Sequence, residues 1–214
     1  RLDFLYQQAL HHHTLPDPWS TRAAVTSLLD ILAITQRGDV RSEVLKELER
    51  QMNHLSAFSS RPGVDSARLK LLLTKLHRMR EELSSVGALF MQKLRDSEFL
   101  NAIKHRSTIP GGTCEFDLPD YTHWLNQPDE IRGADFANWL AVIRPLGDSI
   151  SELLWMTREQ GKTRREVATN GVYHLTLERD VPVQLIRILL PRGTDIYPEI
   201  SGSHYRVSIR FLSW

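Results

Sequence analysis

The chain has 214 residues, of which 25% are charged and 41% hydrophobic, and its formal net charge is +1. This length can bury the core of one large or two small domains, and the composition is that of an ordinary soluble globular protein. The near-zero charge argues against bulk nucleic-acid binding, which needs a domain-wide basic field. The single cysteine, Cys114, excludes an internal disulfide and a metal site built from cysteines.

No segment of the sequence is typical of membrane insertion or export. No apolar run approaches the roughly 18 residues that cross a bilayer, and no signal peptide is visible. The low cysteine content fits a reducing compartment. Because the chain starts at Arg1 rather than Met, we expect a fragment trimmed at both ends.

The small net charge conceals an asymmetry along the chain. Residues 1–157 carry 18 Lys and Arg against 20 Asp and Glu, whereas residues 158–214 carry 9 against 6. The basic excess therefore lies at the C-terminal end. It is enough for a local patch that attracts an acidic or mixed-charge peptide.

The first half of the chain is predicted to form five amphipathic helices. Residues 2–15 form the first, and Pro16-Asp17-Pro18 ends it. Each later helix begins at a residue whose side chain can accept from a free backbone N–H. These predicted N-caps are Asp17 or Ser20, Asp39, Asp65 and Asp96.

The predicted fourth helix has a heptad-like apolar seam. It alternates spacings of three and four over three repeats, through Leu69, Leu72, Leu76, Met79, Leu83, Val86 and Phe90. Such a seam fits a dimer interface or an internal bundle. We favour the internal bundle, because three amphipathic neighbours can cover the seam.

The second half mixes strands with helices. A strand is predicted at 106–118, with Cys114 and Phe116 pointing inward. A brief helix capped by Asp120 follows. Two helical segments come next, the second opened by Pro145 at its first position and ended by Gly161. After the turn at Asn170-Gly171, strands are predicted at 172–177 and 183–190, and a last strand runs to the C-terminus.

This order of elements predicts an α+β fold, with an N-terminal helical bundle joined to a mostly antiparallel β-sheet domain. About seven helices are expected in two blocks, with strands at 106–118 and 172–212. The α-helical domain is assigned to residues 1–105 and completed by helices at about 134–161. The β-strand domain is assigned to residues 106–120 and 162–214.

The last strand has two chemically different sides. From Tyr205, a strict alternation places Tyr205, Val207, Ile209 and Phe211 on the core side. Arg206, Ser208 and Arg210 fall on the other side. The two arginine Cα atoms then lie about 13 Å apart, which suits two groups of an extended ligand better than one phosphate. An ordinary solvated strand face is the alternative.

No catalytic or metal site can be found in the sequence. His11, His12 and His13 are consecutive and point in different directions on a helix, so they cannot share a metal. The acidic residues serve as caps or lie on solvated helix faces. We therefore expect no enzyme activity, no metal and no cofactor. The charge pattern instead indicates a binding surface built from Lys162, Arg164, Arg165 and Arg210 beside Arg206.

Four segments resemble the family of Z-ring-associated protein D (ZapD), in the same order and over nearly the whole chain. They are the opening RLDFLYQQ, then QRGDVRSEVLKELERQ, STIPGGTCEFDLP and IYPEISGSHYRVSIRF. The resemblance implies a cytoplasmic cell-division protein of the midcell ring, with a helical domain, a β-sheet domain and a two-fold dimer. It also implies binding to the C-terminal tail of FtsZ and cross-linking of FtsZ filaments into bundles, without catalysis.

The resemblance also implies roles for particular basic residues. Arg1, Arg37 and Arg206 match family positions implicated in function. At two other family positions the chain departs from the pattern: Glu98 replaces a basic residue, and Thr122, next to His123, replaces a histidine. A nucleic-acid-binding module that uses the same basic strand face remains the alternative.

Overall fold

The computed structural model describes residues 1–59, 61–177, 183–203 and 205–214. The chain divides into two compact units. The helical unit comprises Arg1–Leu153, and the sheet unit comprises Leu154–Trp214. Within the described residues there are eight helices followed by three strands, so the predicted α+β class is confirmed.

The helical unit begins with four long helices in chain order. These are α1 (Leu2–His13), α2 (Pro18–Thr35), α3 (Val40–Ser56) and α4 (Ser66–Ser85). The side chains of Asp17, Asp39 and Asp65 accept from backbone N–H groups of the first turns of α2, α3 and α4, as predicted. Helix α1 packs on α2, and α3 packs on α4.

The apolar seam of α4 is directed into the protein. Leu76, Met79 and Leu83 are buried, and α3 lies against them with Val44, Leu48 and Met52 on its own buried side. Burial of these central residues supports the interpretation of the seam as an internal bundle contact. The predicted extent of the seam is wrong, because α4 ends at Ser85, before Val86 and Phe90.

Four further helices complete the set: α5 (Gln92–Arg95), α6 (Glu98–Arg106), α7 (Pro119–Leu125) and α8 (Asp129–Gln160). Two predicted caps are wrong. Ser97, not Asp96, accepts from the N–H of Leu100 and caps α6. Helix α7 begins at Pro119, and Asp120 lies within its first turn.

Helix α8 continues through Pro145, so the prediction of two separate segments is wrong. Proline removes one backbone donor from the helix. However, Phe136, Leu140, Ile143 and Leu146 remain on one buried side across this point. Continuous packing on both sides of Pro145 outweighs the local preference for a break.

The strand predicted at 106–118 is also wrong, because residues 107–117 form successive turns in the helical unit. Gly111 has a φ of +74°, and a Cβ on Gly112 would lie 2.4 Å from the carbonyl oxygen of Arg106. Glycine is thus required for a close backbone approach. Cys114 and Phe116 are exposed rather than buried.

The sheet unit contains a three-stranded antiparallel sheet in the order β1-β3-β2. Its strands are β1 (Val172–Thr176), β2 (Ile196–Gly202) and β3 (Arg206–Ser213). The turn at Asn170-Gly171 is confirmed, since both residues have positive φ. Residues 183–190, predicted as a strand, form none.

The predicted alternation in β3 is confirmed at its centre and fails at its start. Val207 and Ile209 are each 5% exposed, and Arg206 and Arg210 are exposed on the other side. Tyr205 precedes the strand and is 54% exposed, so its predicted place in the core is wrong.

Candidate partner-binding surface

The register of the sheet identifies the residues that share a face with Arg206 and Arg210. Directly opposed residues in antiparallel strands point to the same side. Arg206 is opposite Thr176, Ser208 is opposite His174 and Ser201, and Arg210 is opposite Val172 and Glu199. We call this side the arginine face: Thr176, His174, Val172, Arg206, Ser208, Arg210, Glu199 and Ser201.

Arg210 is held by an acidic neighbour on the arginine face. Its Nη2 lies 2.5 Å and its Nε 3.1 Å from Oε2 of Glu199. Both side chains are more than half exposed, so this pair contributes little to stability. A ligand carboxylate would have to compete with Glu199 for Arg210.

Arg206 is the more available of the two arginines. Its side chain is exposed, and within the described part of the chain it has no hydrogen-bond or ion-pair partner. Its neighbour across the strands is the small Thr176. An uncommitted guanidinium beside a small residue can bind a carboxylate in a bidentate manner.

The remaining basic residues of the sheet unit lie in the segment before β1. Lys162 and Arg165 are exposed. Arg164 forms an ion pair with Glu166 at 2.8 Å and donates to the hydroxyl of Tyr173 at 3.2 Å. Tyr173 is opposite Ile209, on the side away from Arg206. Arg164 is thereby directed away from the arginine face.

Arg1 and Arg37 belong to the helical unit. Arg1 precedes α1, and Arg37 follows the C-terminus of α2; both are exposed. The sheet therefore brings Arg206 and Arg210 together on one face. Lys162, Arg164 and Arg165 lie on the adjoining segment, and Arg1 and Arg37 lie in the other unit.

Several arginines of the helical unit have structural roles that the sequence does not reveal. Arg41 donates to the carbonyl oxygens of Leu83 and Ser84 and so satisfies the C-terminus of α4. Arg22 donates to the carbonyl oxygen of Thr113 and lies over the Tyr121 ring. Burial raises the pKa of Tyr121 to about 12, so its phenol is neutral.

Arg132 is the most buried of these arginines and donates to the most partners. It is 5% exposed and donates to the hydroxyl of Thr21, the carbonyl oxygen of Pro16 and the carboxylate of Asp129. The spacing of Asp129 and Arg132 suggests only an ordinary surface pair on one helix turn. Its burial depends on α2 and the preceding loop, which the sequence does not show to be neighbours.

The described residues contain no group of three His, Cys, Asp or Glu side chains arranged to hold a metal ion. Among the helices they form, none combines the length and apolar character needed to cross a membrane. Among the described residues of the sheet unit, the arginine face is a mixed-charge surface on which Arg210 is paired with Glu199 and the Arg206 side chain has no partner.

Comparison with known proteins places the chain in a family of cell division proteins. The model of the ZapD family, described as a cell division protein, matches residues 1–210, and the chain belongs to this family. Cell division protein ZapD of Chromobacterium violaceum is 35% identical over 100% of this chain and 84% of its own length. The ZapD proteins of Pectobacterium carotovorum and Azoarcus sp. are 34% and 32% identical, each over 99% of this chain.

Proposed function

We propose that the protein binds the C-terminal tail of FtsZ through the arginine face of its sheet and, as a homodimer, cross-links FtsZ filaments into bundles at the midcell ring. It acts in the cytoplasm as a binding protein and not as an enzyme. The observation that carries the proposal is the exposed Arg206 side chain, which has no partner among the described residues, in a chain that belongs to a cell division family.

The chemistry of the arginine face suits a short extended peptide. Arg206 and Arg210 are separated by about 13 Å along β3, so one peptide in extended conformation can present a carboxylate to each. Arg206 is free to bind, whereas Arg210 must exchange Glu199 for the ligand. Both contacts are exposed, so salt should weaken the binding.

Dimerisation converts a weak contact into a firm cross-link. A disordered tail loses conformational entropy when it binds, so one site alone is expected to be weak. A dimer offers two sites, and a filament offers many tails. The second binding event is then effectively intramolecular, and avidity exceeds single-site affinity by orders of magnitude.

The direct test compares binding of a synthetic FtsZ tail peptide by wild type, Arg206→Glu and Arg192→Glu. Arg192 is an exposed arginine in a turn of the same unit, so the control makes the same charge change outside the strands. We expect Arg206→Glu to weaken binding by about tenfold or more, since a hydrogen-bonded charge pair is replaced by repulsion. Arg192→Glu should retain most of the affinity.

Two results would contradict this assignment. Equal affinity of wild type and Arg206→Glu would remove Arg206 from the site. Equal weakening by both variants would reduce the effect to net charge. Circular dichroism of each variant checks that the sheet is intact, which we expect because both side chains are exposed.

The cross-linking step is tested by varying protein concentration. Sedimentation gives the fraction of dimer, and light scattering of FtsZ filaments measures bundling at the same concentrations. Bundling should fall much more steeply than tail binding as the dimer dissociates. A monomer that bundles filaments normally would overturn the proposal.

A nucleic-acid-binding role for the same face is the rival hypothesis. It requires affinity for DNA or RNA at physiological salt that Arg206→Glu abolishes. The net charge of +1 and the presence of Glu199 on the face disfavour it.

A fluorescent fusion that fails to concentrate at midcell would contradict the proposed localisation.

A further inference from the structure

The segment before β1 starts a β-hairpin that it does not complete. Asn170 and Gly171 have φ values of 52° and 75°, typical of a two-residue hairpin turn. Thr169 and Val172 form a bridge across this turn, with the N–H of Val172 bonded to the carbonyl oxygen of Thr169. Residues 161–168 make no strand pairing beyond this point in the described chain.

The outer edge of β1 is a template for continuing that hairpin. Leu177 donates to Tyr205 and Phe211 donates to Gly171, so odd-numbered residues of β1 pair with β3. The N–H and C=O groups of His174 and Thr176 therefore point away from β3. An edge strand with free backbone groups readily accepts another strand.

The opposite edge of the sheet lacks this capacity. By the same alternation, Tyr197, Glu199 and Ser201 of β2 pair with β3, and Pro198 faces outward. Proline has no N–H to donate, and it is a common means of blocking an edge strand. Of the two edges, the one formed by β1 is suited to extension.

The bridge at Thr169 fixes the register of any extension. Val167 would be opposite His174, and Arg165 would be opposite Thr176. Thr176 is already opposite Arg206. Completion of the hairpin would thus place Arg165, Thr176 and Arg206 in one row across the arginine face. In this register Arg164 and Tyr173 lie on the other side of the sheet, but Arg164 would be opposite Leu177, so its contact with Tyr173 would have to be exchanged when the hairpin is completed.

We propose that residues 163–168 pair with β1 as a fourth strand when a peptide binds, and that Arg165 and Arg206 then bind one carboxylate of that peptide from both sides of Thr176. This inference rests on the proposed tail-binding function. Arg165 and Arg206 would lie about 10 Å apart, two strand spacings, and a carboxylate above Thr176 is within reach of both.

Electrostatics makes a bound carboxylate favour the extended hairpin. Pairing brings two exposed arginines into one row, where their mutual repulsion across water is weak but unfavourable. A bound carboxylate offsets that repulsion and adds charge-assisted hydrogen bonds. Peptide binding and strand formation are then thermodynamically linked, each favouring the other.

A pair of proline substitutions tests the register in the full chain. In the extended hairpin the N–H of residue 167 would donate to β1, whereas that of residue 168 would point outward. Val167 is 83% exposed, and Ala168 is half-buried. We expect Val167→Pro to weaken binding of the FtsZ tail peptide by about five- to tenfold, and Ala168→Pro to weaken it by less than about twofold.

Amide hydrogen exchange measures directly whether residues 163–168 pair with β1. Addition of the tail peptide should slow exchange at the N–H groups of His174 and Thr176 in wild type and Ala168→Pro, but not in Val167→Pro. Substituting Arg165 by Ala should lower affinity in wild type and have no further effect in the Val167→Pro background, because Arg165 is then already absent from the face.

The outcomes separate this inference from the proposed function. If wild type does not bind the peptide, the tail-binding function itself fails. If wild type binds the peptide and the two proline variants have the same affinity as each other, the proposed hairpin is wrong. This holds whether that shared affinity equals the affinity of wild type or is lower. Protection of His174 and Thr176 that persists in Val167→Pro would mean that the peptide itself occupies the edge, which also overturns the inference.

Discussion

The helical unit and the sheet unit use arginine in opposite ways. In the helical unit, Arg132, Arg41 and Arg22 donate to backbone carbonyl oxygens of other segments and hold loops and helix ends in place. In the sheet unit, Arg206 and Arg165 are exposed, and neither side chain has a hydrogen-bond partner within the part of the chain that the structure describes. The same residue type serves folding in one unit and, by our proposal, recognition in the other.

The difference follows from how much surface each unit can bury. The helical unit surrounds an apolar core that includes Leu28, Ile31, Leu48 and Leu140. In the three-stranded sheet only Val207 and Ile209 are buried among the strand residues. A thin sheet leaves one face solvated and therefore available for binding.

The largest expected effect comes from replacing Arg132, the buried arginine of the helical unit. We expect Arg132→Met to destabilise the protein by about 2–3 kcal/mol, because the carbonyl oxygen of Pro16 and the hydroxyl of Thr21 lose their buried donor. Arg68→Met, at an exposed position of α4, should change stability by less than about 0.5 kcal/mol. Urea denaturation measures both. A loss below about 0.5 kcal/mol for Arg132→Met would show that the arginine is dispensable for folding.

A second test probes how tightly the helical unit is packed. A Cβ on Gly147 would lie 2.6 Å from the buried Tyr6 ring, whose hydroxyl donates to Asp148 at 2.7 Å. Gly147→Ala should therefore cost about 2 kcal/mol. Gly133→Ala, in the same helix with open space around its Cβ position, should instead stabilise by about 0.5 kcal/mol. Thermal unfolding of the two variants should shift in opposite directions, and parallel shifts would contradict the packing argument.

Smaller effects on stability and on peptide affinity are expected when Arg210 loses its ion pair with Glu199 on the arginine face. Glu199→Gln removes its exposed partner, so stability should change by less than about 0.5 kcal/mol. Affinity for the tail peptide should rise by about twofold, because the ligand no longer competes with Glu199. Glu159→Gln gives the same charge change outside the sheet. Equal gains in affinity by both variants would assign the effect to net charge.

The smallest expected effect is a pH dependence of the helical unit. Burial and the nearby Arg144 lower the pKa of His13 below its ordinary value of 6.5. The unfolded chain then binds this proton more readily, so stability present above about pH 6.5 is lost as the pH falls. Replacing His13 by Gln should flatten the pH dependence of urea midpoints between pH 7 and 5. His77→Gln, at an exposed position of α4, is the matched control substitution, and equal flattening by both variants would contradict the role of His13.

Much of the fold was predictable where local chemistry and periodicity agree. Asp17, Asp39 and Asp65 cap the helices predicted for them, and the centre of the α4 seam is buried at Leu76 and Leu83. The failures occur where tertiary contacts override a local signal. Pro145 lies inside α8 because apolar packing continues on both sides, and the alternating pattern at 114–118 is part of a series of turns.

The candidate site was predicted only in part for the same reason. The period of two placed Arg206 and Arg210 on one side of β3, because side chains alternate between the two faces of a strand, and the apolar residues at 207 and 209 indicated that this side is the exposed one. Only the tertiary structure decided that Glu199 of β2 binds Arg210, that Thr176 lies beside Arg206, and that Arg132 is buried while Arg165 is exposed. Those outcomes depend on which segments become neighbours, and that is determined by packing between segments distant in sequence.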